Sequence, residues 1–410
     1  MLARQSAGSA NVLPAAHSIG AAATASATIS QTHVLTWDAF DLGGGANTPV
    51  TPALAAPWLS WLMIGSANSG EYHAVGIQTM YYTQPNRQGP GGPEYSSDES
   101  TFAHTCAGNG TADRIKTTNY GLYLMDPGSA ELGDLWQQEA LTVRNSWGGQ
   151  FDAIYEDLTD TIYYTNGTPC DFTQSAWSNE SNSLSTYITS QGFQLIYNGL
   201  AALAPGYSMS PTIAMNASTT GGMFEGCYTT NGDPWLLHNN TWITTEDTEI
   251  QMADAGKLFF CRGLDTNSAE SSAAARLYQY ASFLLTYRRH TSVYSTSFAT
   301  ADLFNELPET ELVPTDPVQA YPSTVSALLQ TSGVYGRQFS ACYIAGVLVG
   351  PCAVAINEST NASLPFPWPG VYPHTIALSG ADIPAGGTIS ALGPAPPSQV
   401  PSLSGVIAIQ

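Results

Sequence analysis

Residues 151–160 read FDAIYEDLTD: the apolar Ala153, Ile154 and Tyr155 run straight into Glu156, Asp157 and, three residues on, Asp160. A short apolar run that ends in carboxylates reads as a buried strand delivering acids to an open rim. Seven other segments repeat the pattern. They are His33–Trp37, ending in Asp38 and Asp41; Ala74–Tyr82; Gly121–Met125, ending in Asp126; Phe193–Tyr197; Gly222–Phe224, before Glu225; Leu258–Cys261; and Ser292–Thr296. Helical periodicity fills several gaps, at Ala130–Trp147, Ser175–Ser190, Trp242–Ala255 and Ser268–Tyr287, with Gly192 and Gly256 at C-cap positions. Strands alternating with helices of this length predict βαβ units and a parallel sheet. Eight repeats predict an α/β fold, a (β/α)8 TIM barrel.

The pattern ends near residue 330. Beyond it come short β-type segments separated by Gly, Pro and Ser: Val334–Phe339, Tyr343–Val349, Ala353–Ile356, His374–Leu378, Thr388–Leu392 and Ser404–Ile409. The expected organisation is a lead-in at 1–30, a barrel at 31–330 and a small all-β sandwich domain at 331–410. The loop-like stretch Pro85–Asp113 is long enough to be an element of a site.

The 410 residues carry 32 acids against 11 bases, a net charge of −21, and the only lysines are Lys116 and Lys257. Such a surface repels phosphate backbones, so nucleic acid is excluded as a partner. It would suit an acidic medium, where carboxylates are partly neutralised. No apolar run reaches the length of a membrane span. Six cysteines, at 106, 170, 227, 261, 342 and 352, show no zinc-type spacing and read as disulfides of an oxidising compartment. Asn-x-Ser/Thr sequons at Asn109, Asn166, Asn179, Asn216, Asn239, Asn357 and Asn361 agree with a secreted, extracellular protein whose signal peptide has been removed. Six cysteines allow fifteen pairings. Their places on the expected barrel favour Cys227–Cys261, Cys342–Cys352 and Cys106–Cys170. Nothing in the sequence sets an oligomeric state.

In a barrel of this kind chemistry gathers at the C-terminal ends of the strands. If Ala153 and Tyr155 face the interior, Asp157 shares their parity and Glu156 faces the helices; the opposite register exchanges the two. Glu225 lies in GGMFEGCY, where apolar neighbours favour a protonated carboxyl. Two such carboxyls can act together, one as proton donor and the other as nucleophile or base. The competing reading ties Glu225 to Arg262 on the next strand; Arg262 is equally a candidate for holding substrate. Asp38, Asp41, Asp126 and Asn198 are candidates for binding substrate hydroxyls, with Trp37, Tyr82 and Trp235 as aromatic platforms. No GxSxG elbow, P-loop, GxGxxG or HExxH occurs, so neither a metal nor a cofactor is expected.

Four stretches together resemble a family of predicted TIM-barrel glycoside hydrolases with a C-terminal β-sandwich: FDAIYEDLTD, GGMFEGCY, AARLYQYASFLLTYRRHTSVYS (274–295) and VYGRQFSACYIAGVLVGP (334–351). Two positions depart from the family pattern: Ala153 stands where glycine is usual, and Glu156 where an apolar residue is. The resemblance implies cleavage of glycosidic bonds in a polysaccharide or oligosaccharide, with Asp157 as nucleophile or base and Glu225 as acid. Glu156 is the alternative catalytic acid. The rival expectation is a carbohydrate-binding or cell-surface barrel without catalysis.

Overall fold

The computed structural model describes residues 35–38, 52–56, 59–64, 69–118, 121–146, 151–157, 159, 165–170, 172–200, 212–229, 235–263, 273–296, 305–306, 308–344, 347–377, 383–384 and 391–410. Asp41, Asp160 and the 1–30 lead-in lie outside them.

Among the described residues eight parallel strands form one sheet. They are β1 (Leu35–Asp38), β2 (Leu59–Ile64), β3 (Gln78–Thr83), β4 (Ala153–Asp157), β5 (Leu195–Asn198), β6 (Gly221–Glu225), β7 (Leu258–Gly263) and β8 (Ser292–Thr296). They lie side by side in chain order, and β1 pairs with both β2 and β8, so the sheet curls until its first strand meets its last. Helices occupy the crossovers: α1 (Pro52–Ala55), α2 (Ser69–His73), α3 (Ala130–Ser146), α4 (Gln174–Ser190), α5 (Thr212–Met215), α6 (Asn239–Asp254) and α7 (Ala273–Thr286). The anticipated C-cap glycines, Gly192 and Gly256, have φ of +84° and +69°, the left-handed conformation that ends α4 and α6. Among the described residues no helix is long and apolar enough to cross a membrane.

Alternate residues of the strands face opposite ways. Trp61, Met63, Met80, Ala153, Tyr155, Ile196, Met223, Leu258, Phe260 and Val293 pack together inside the curl. Leu62, Ile154, Leu195, Tyr197, Phe224 and Phe259 join the larger cluster under the helices. Both faces of a parallel sheet are covered, so its strands read as continuous apolar runs.

Two strand assignments are corrected. The second strand is LSWLMI at 59–64, and the segment expected second, Ala74–Tyr82, holds the third strand, Gln78–Thr83. Tyr123–Leu124 is outside the curled sheet and pairs antiparallel with Arg87–Gln88. The physical reason is a satellite core: Leu124 packs with Ala103, Ile115 and Trp177, which lets the excursion between β3 and α3 fold on itself.

The chain ends in an antiparallel sheet of β9 (Leu312–Pro314), β10 (Tyr335–Ile344), β11 (Val347–Asn357), β12 (His374–Ala377), β13 (Ala391–Leu392) and β14 (Ser404–Ile409). Their spatial order is β9-β10-β11-β14-β12-β13. One face lies on α7. A Cβ added at Gly405 would sit 2.7 Å from both the Leu277 carbonyl oxygen and the Ala281 Cβ, so strand and helix backbones touch there. The buried Arg337 of β10 donates to the Leu285 and Tyr287 carbonyls at the end of α7, at 2.8 and 3.2 Å. The opposite face is covered by Phe366 and Trp368 with a two-stranded ribbon, Leu364–Pro365 against Gln399–Val400. Disulfides join Cys106 to Cys170, Cys227 to Cys261 and Cys342 to Cys352.

Candidate functional site

Continuing the interior parity to the C-terminal ends of the strands brings Tyr82, Asp157, Asn198, Glu225 and Arg262 to the top of the curl. These five side chains are connected. Asn198, at the end of β5, sits between the ends of β4 and β6, and its Nδ2 donates to both acids: to Asp157 Oδ1 at 2.7 Å and to Glu225 Oε2 at 3.0 Å. Because both oxygens touch the same nitrogen, they lie no more than about 5.7 Å apart. The other Asp157 oxygen accepts from Tyr82 OH at 2.8 Å and from Gln84 Nε2 at 3.0 Å. Arg262, opposite Glu225 in register, donates to Glu225 Oε1 at 2.9 Å. The Tyr82 ring stacks on Tyr155 with centroids 5.8 Å apart.

Burial raises the Asp157 pKa above the usual carboxylate range, and the Glu225 charge raises it further. Hydrogen bonds from Tyr82 and Asn198 oppose that shift by favouring the ionised form. Tyr82 itself is pushed well up by burial and by Asp157, so it stays a neutral donor. Asp157 therefore keeps a proton to higher pH than an isolated carboxyl. Asp157 is held by three donors, whereas the Glu225 side chain is 38% exposed and can exchange protons with solvent.

The Glu156 expectation is corrected. With Ala153 and Tyr155 inside, Glu156 points the other way and is fully buried against α4, where Ser185 Oγ donates to its Oε2 at 2.8 Å. It is not beside Asp157. Asp126 is corrected likewise, since the strand expected to present it is not in the curled sheet. Its Oδ1 accepts the Gly128 amide at 2.8 Å in the turn before α3, and burial raises its pKa. It lines a separate cavity of about 550 Å³ with His104, Asn109 and Phe172. Cys106 and Cys170 also line that cavity, which lies between the segments that follow β3 and β4. Trp37 and Asp38 end β1, where Asp38 is in register with Met63. Trp235 is in the segment between β6 and α6, half-buried beside the bridge pairing Thr229 with Leu236.

Gln84 was not among the expected site residues. Its signal was available: a polar amide immediately after the β-type run that ends at Tyr82 and Thr83. The bridging role of Asn198 had no local signal, because it depends on the register of β4, β5 and β6.

No family model and no curated protein matches the chain. Solved structures similar to it include Aspergillus fumigatus Ega3 in complex with galactosamine, 13% identical with a TM-score of 0.38, over 65% of this chain and 88% of that one. The glycoside hydrolase domain of PelA from Pseudomonas aeruginosa is 12% identical with a TM-score of 0.38, over 65% and 94%. Eubacterium rectale Amy13B is 10% identical with a TM-score of 0.49, over 93% and 96%.

Proposed function

We propose that this protein is a secreted glycoside hydrolase that cleaves a polysaccharide or oligosaccharide with Asp157 and Glu225 by a retaining mechanism. A single observation carries the reading: one amide, Asn198, bridges both carboxylates at 2.7 and 3.0 Å. Carboxyl groups about 5–5.5 Å apart suit a nucleophile and an acid/base on either side of the anomeric carbon; a wider gap would leave room for water in an inverting reaction. Asp157, fixed by three donors, attacks. Glu225 protonates the leaving oxygen, then takes a proton from water as the glycosyl–Asp157 ester is hydrolysed. Arg262 and Asn198 orient Glu225 through both steps. Two carboxyls in contact with one amide favour catalysis over a lectin-like role, for which one acid in an aromatic trough would serve.

The same reading takes the curled sheet as a complete (β/α)8 TIM barrel spanning 31–330, and the terminal sheet with its ribbon as a small sandwich over 331–410. Three disulfides and the sequons suit an extracellular glycoprotein. Asp38, Asp41, Trp37 and Trp235 are proposed to bind the sugar chain. The test is reducing-end release from a panel of polysaccharides by the wild type, Asp157→Asn and Glu225→Gln. Hydrolysis by the wild type and its loss in both variants is expected; a folded Asp157→Asn enzyme keeping more than a few percent of the rate refutes the assignment.

A further inference from the structure

Helix α6 buries two glutamates that the reaction does not use. Glu246 and Glu249 are each 0% exposed and three residues apart, on the face that also carries Trp242 and Ile250. They meet at one hydroxyl. Thr286 Oγ1, the last residue of α7, lies 2.7 Å from Glu246 Oε2 and 2.8 Å from Glu249 Oε2. A threonine hydroxyl has one hydrogen and can donate to only one of these oxygens. The second contact needs a hydrogen on the carboxyl itself. Ser292 Oγ, on β8, donates to Glu249 Oε1 at 2.5 Å. Glu249 thus has a donor for each oxygen as an anion, which leaves Glu246 to carry the proton and donate it to Thr286.

We propose that Glu246 and Glu249 share a single proton through Thr286 across the seam of α6, α7 and β8, and that losing this proton in alkaline medium loosens the seam, so that the fold is built for acidic surroundings.

The charges around the pair agree. On α6 itself Asp247 adds a negative charge near Glu246. Tyr228 faces the pair from the segment after β6, Tyr278 from α7, Tyr287 from the turn after α7, and Tyr335 from β10; all are neutral phenols with raised pKa values. Arg337 of β10 is the cation facing Glu249. One arginine, one glutamate anion and one protonated glutamate sum to zero; removing the proton leaves an uncompensated buried charge. Burial lifts Glu249 to about 7, and burial with the Glu249 charge lifts Glu246 well above its usual value. Both folded values exceed the unfolded value of about 4.3, so this stability is full below that pH and is lost as pH rises through the raised folded values of the pair. The seam also reaches the candidate site, because Tyr228 follows Glu225 by three residues and its OH lies 3.5 Å from Glu249 Oε2. Nothing in this depends on the carbohydrate reading.

Glu246→Gln tests it, since the amide N–H₂ donates to Thr286 at every pH. Melting temperatures of the wild type and variant are compared at about pH 5 and pH 8. The wild type is expected to lose several degrees more than the variant over that interval, and the variant to be the more stable at the higher pH. Parallel profiles overturn the proposal. If the variant does not fold, infrared spectroscopy decides on a protein carrying Glu94→Gln, Asp126→Asn and Asp157→Asn, which removes three other carboxyls whose pKa burial raises. A protonated-carboxyl carbonyl band persisting near neutral pH supports the shared proton, and its absence overturns it.

Discussion

Replacing Asn198 with alanine removes both hydrogen bonds that join the two acids. Each is charge-assisted, worth about 1.5–3 kcal/mol in a dry site. Glu225 is partly exposed, so its share belongs at or below the low end, and the two bonds together amount to about 3 kcal/mol. If that energy holds the pair in its reactive geometry, kcat/KM falls by about 150-fold. A second effect has a definite sign. The Asn198 hydrogen bond favours ionised Asp157, and without it the Asp157 pKa rises further above the usual range. A nucleophile must be ionised, so the acidic limb of the kcat/KM profile moves to higher pH, by about one unit for each 1.4 kcal/mol lost. The assay is initial-rate kcat/KM between about pH 3 and pH 8 on whichever polysaccharide the wild type cleaves, with melting temperatures at each pH. A folded variant within threefold of wild type, with its acidic limb unmoved, would refute the idea that one amide organises both carboxyls.

Further expectations concern other residues. Asp157→Asn should lower kcat by about 10⁴-fold while leaving the melting temperature equal to or above that of the wild type, because a buried charge repelled by Glu225 is removed; rates and calorimetry check both. Glu156→Gln should leave kcat/KM within about threefold and cost about 1 kcal/mol in urea unfolding, since its partner is Ser185 on α4. Loss of activity there with a tolerant Asp157→Asn would reverse the parity of β4. Cys170→Ser opens a loop of 64 residues, so calorimetry should show a clear drop in melting temperature, with about 4 kcal/mol as the chain-entropy ceiling.

Much of the curled sheet was legible because its strands are buried on both faces, and an apolar run stopping at an acid or amide is easy to see at 153–157 or 221–225. The interior parity of Ala153 and Tyr155 was likewise readable once one register was chosen, and it separates Asp157 from Glu156. What was missed was β2 itself and the excursion between β3 and α3. Gly121–Met125 has the composition of a strand that ends in an acid, yet only Tyr123 and Leu124 pair, and with Arg87–Gln88. Its apolar residues serve the small core around Trp177, a contact between distant segments that no local pattern announces. Asn198 and Gln84 show the same limit at the site: their residue types were visible, but the shared partner depends on which strands are neighbours. The acids of α6 were hidden for another reason. A helical glutamate is ordinarily read as solvated, and only the packing of α7 over Glu246 and Glu249 makes that reading wrong.

The contact between α7 and the terminal sheet sets an order of events during synthesis. Tyr278, Ala281, Leu284 and Leu285 are all buried, and the backbone approach at Gly405 shows that β14 supplies part of their cover. The ribosome finishes α7 at Thr286, 123 residues before β14 ends at Ile409. At the usual pace of translation, about 5–20 residues per second, this helix waits roughly 6–25 s for its second wall. For that interval the nascent chain presents an apolar helix face to whatever is nearby. Its production should therefore depend on the holding chaperones of the host more than its finished stability would suggest.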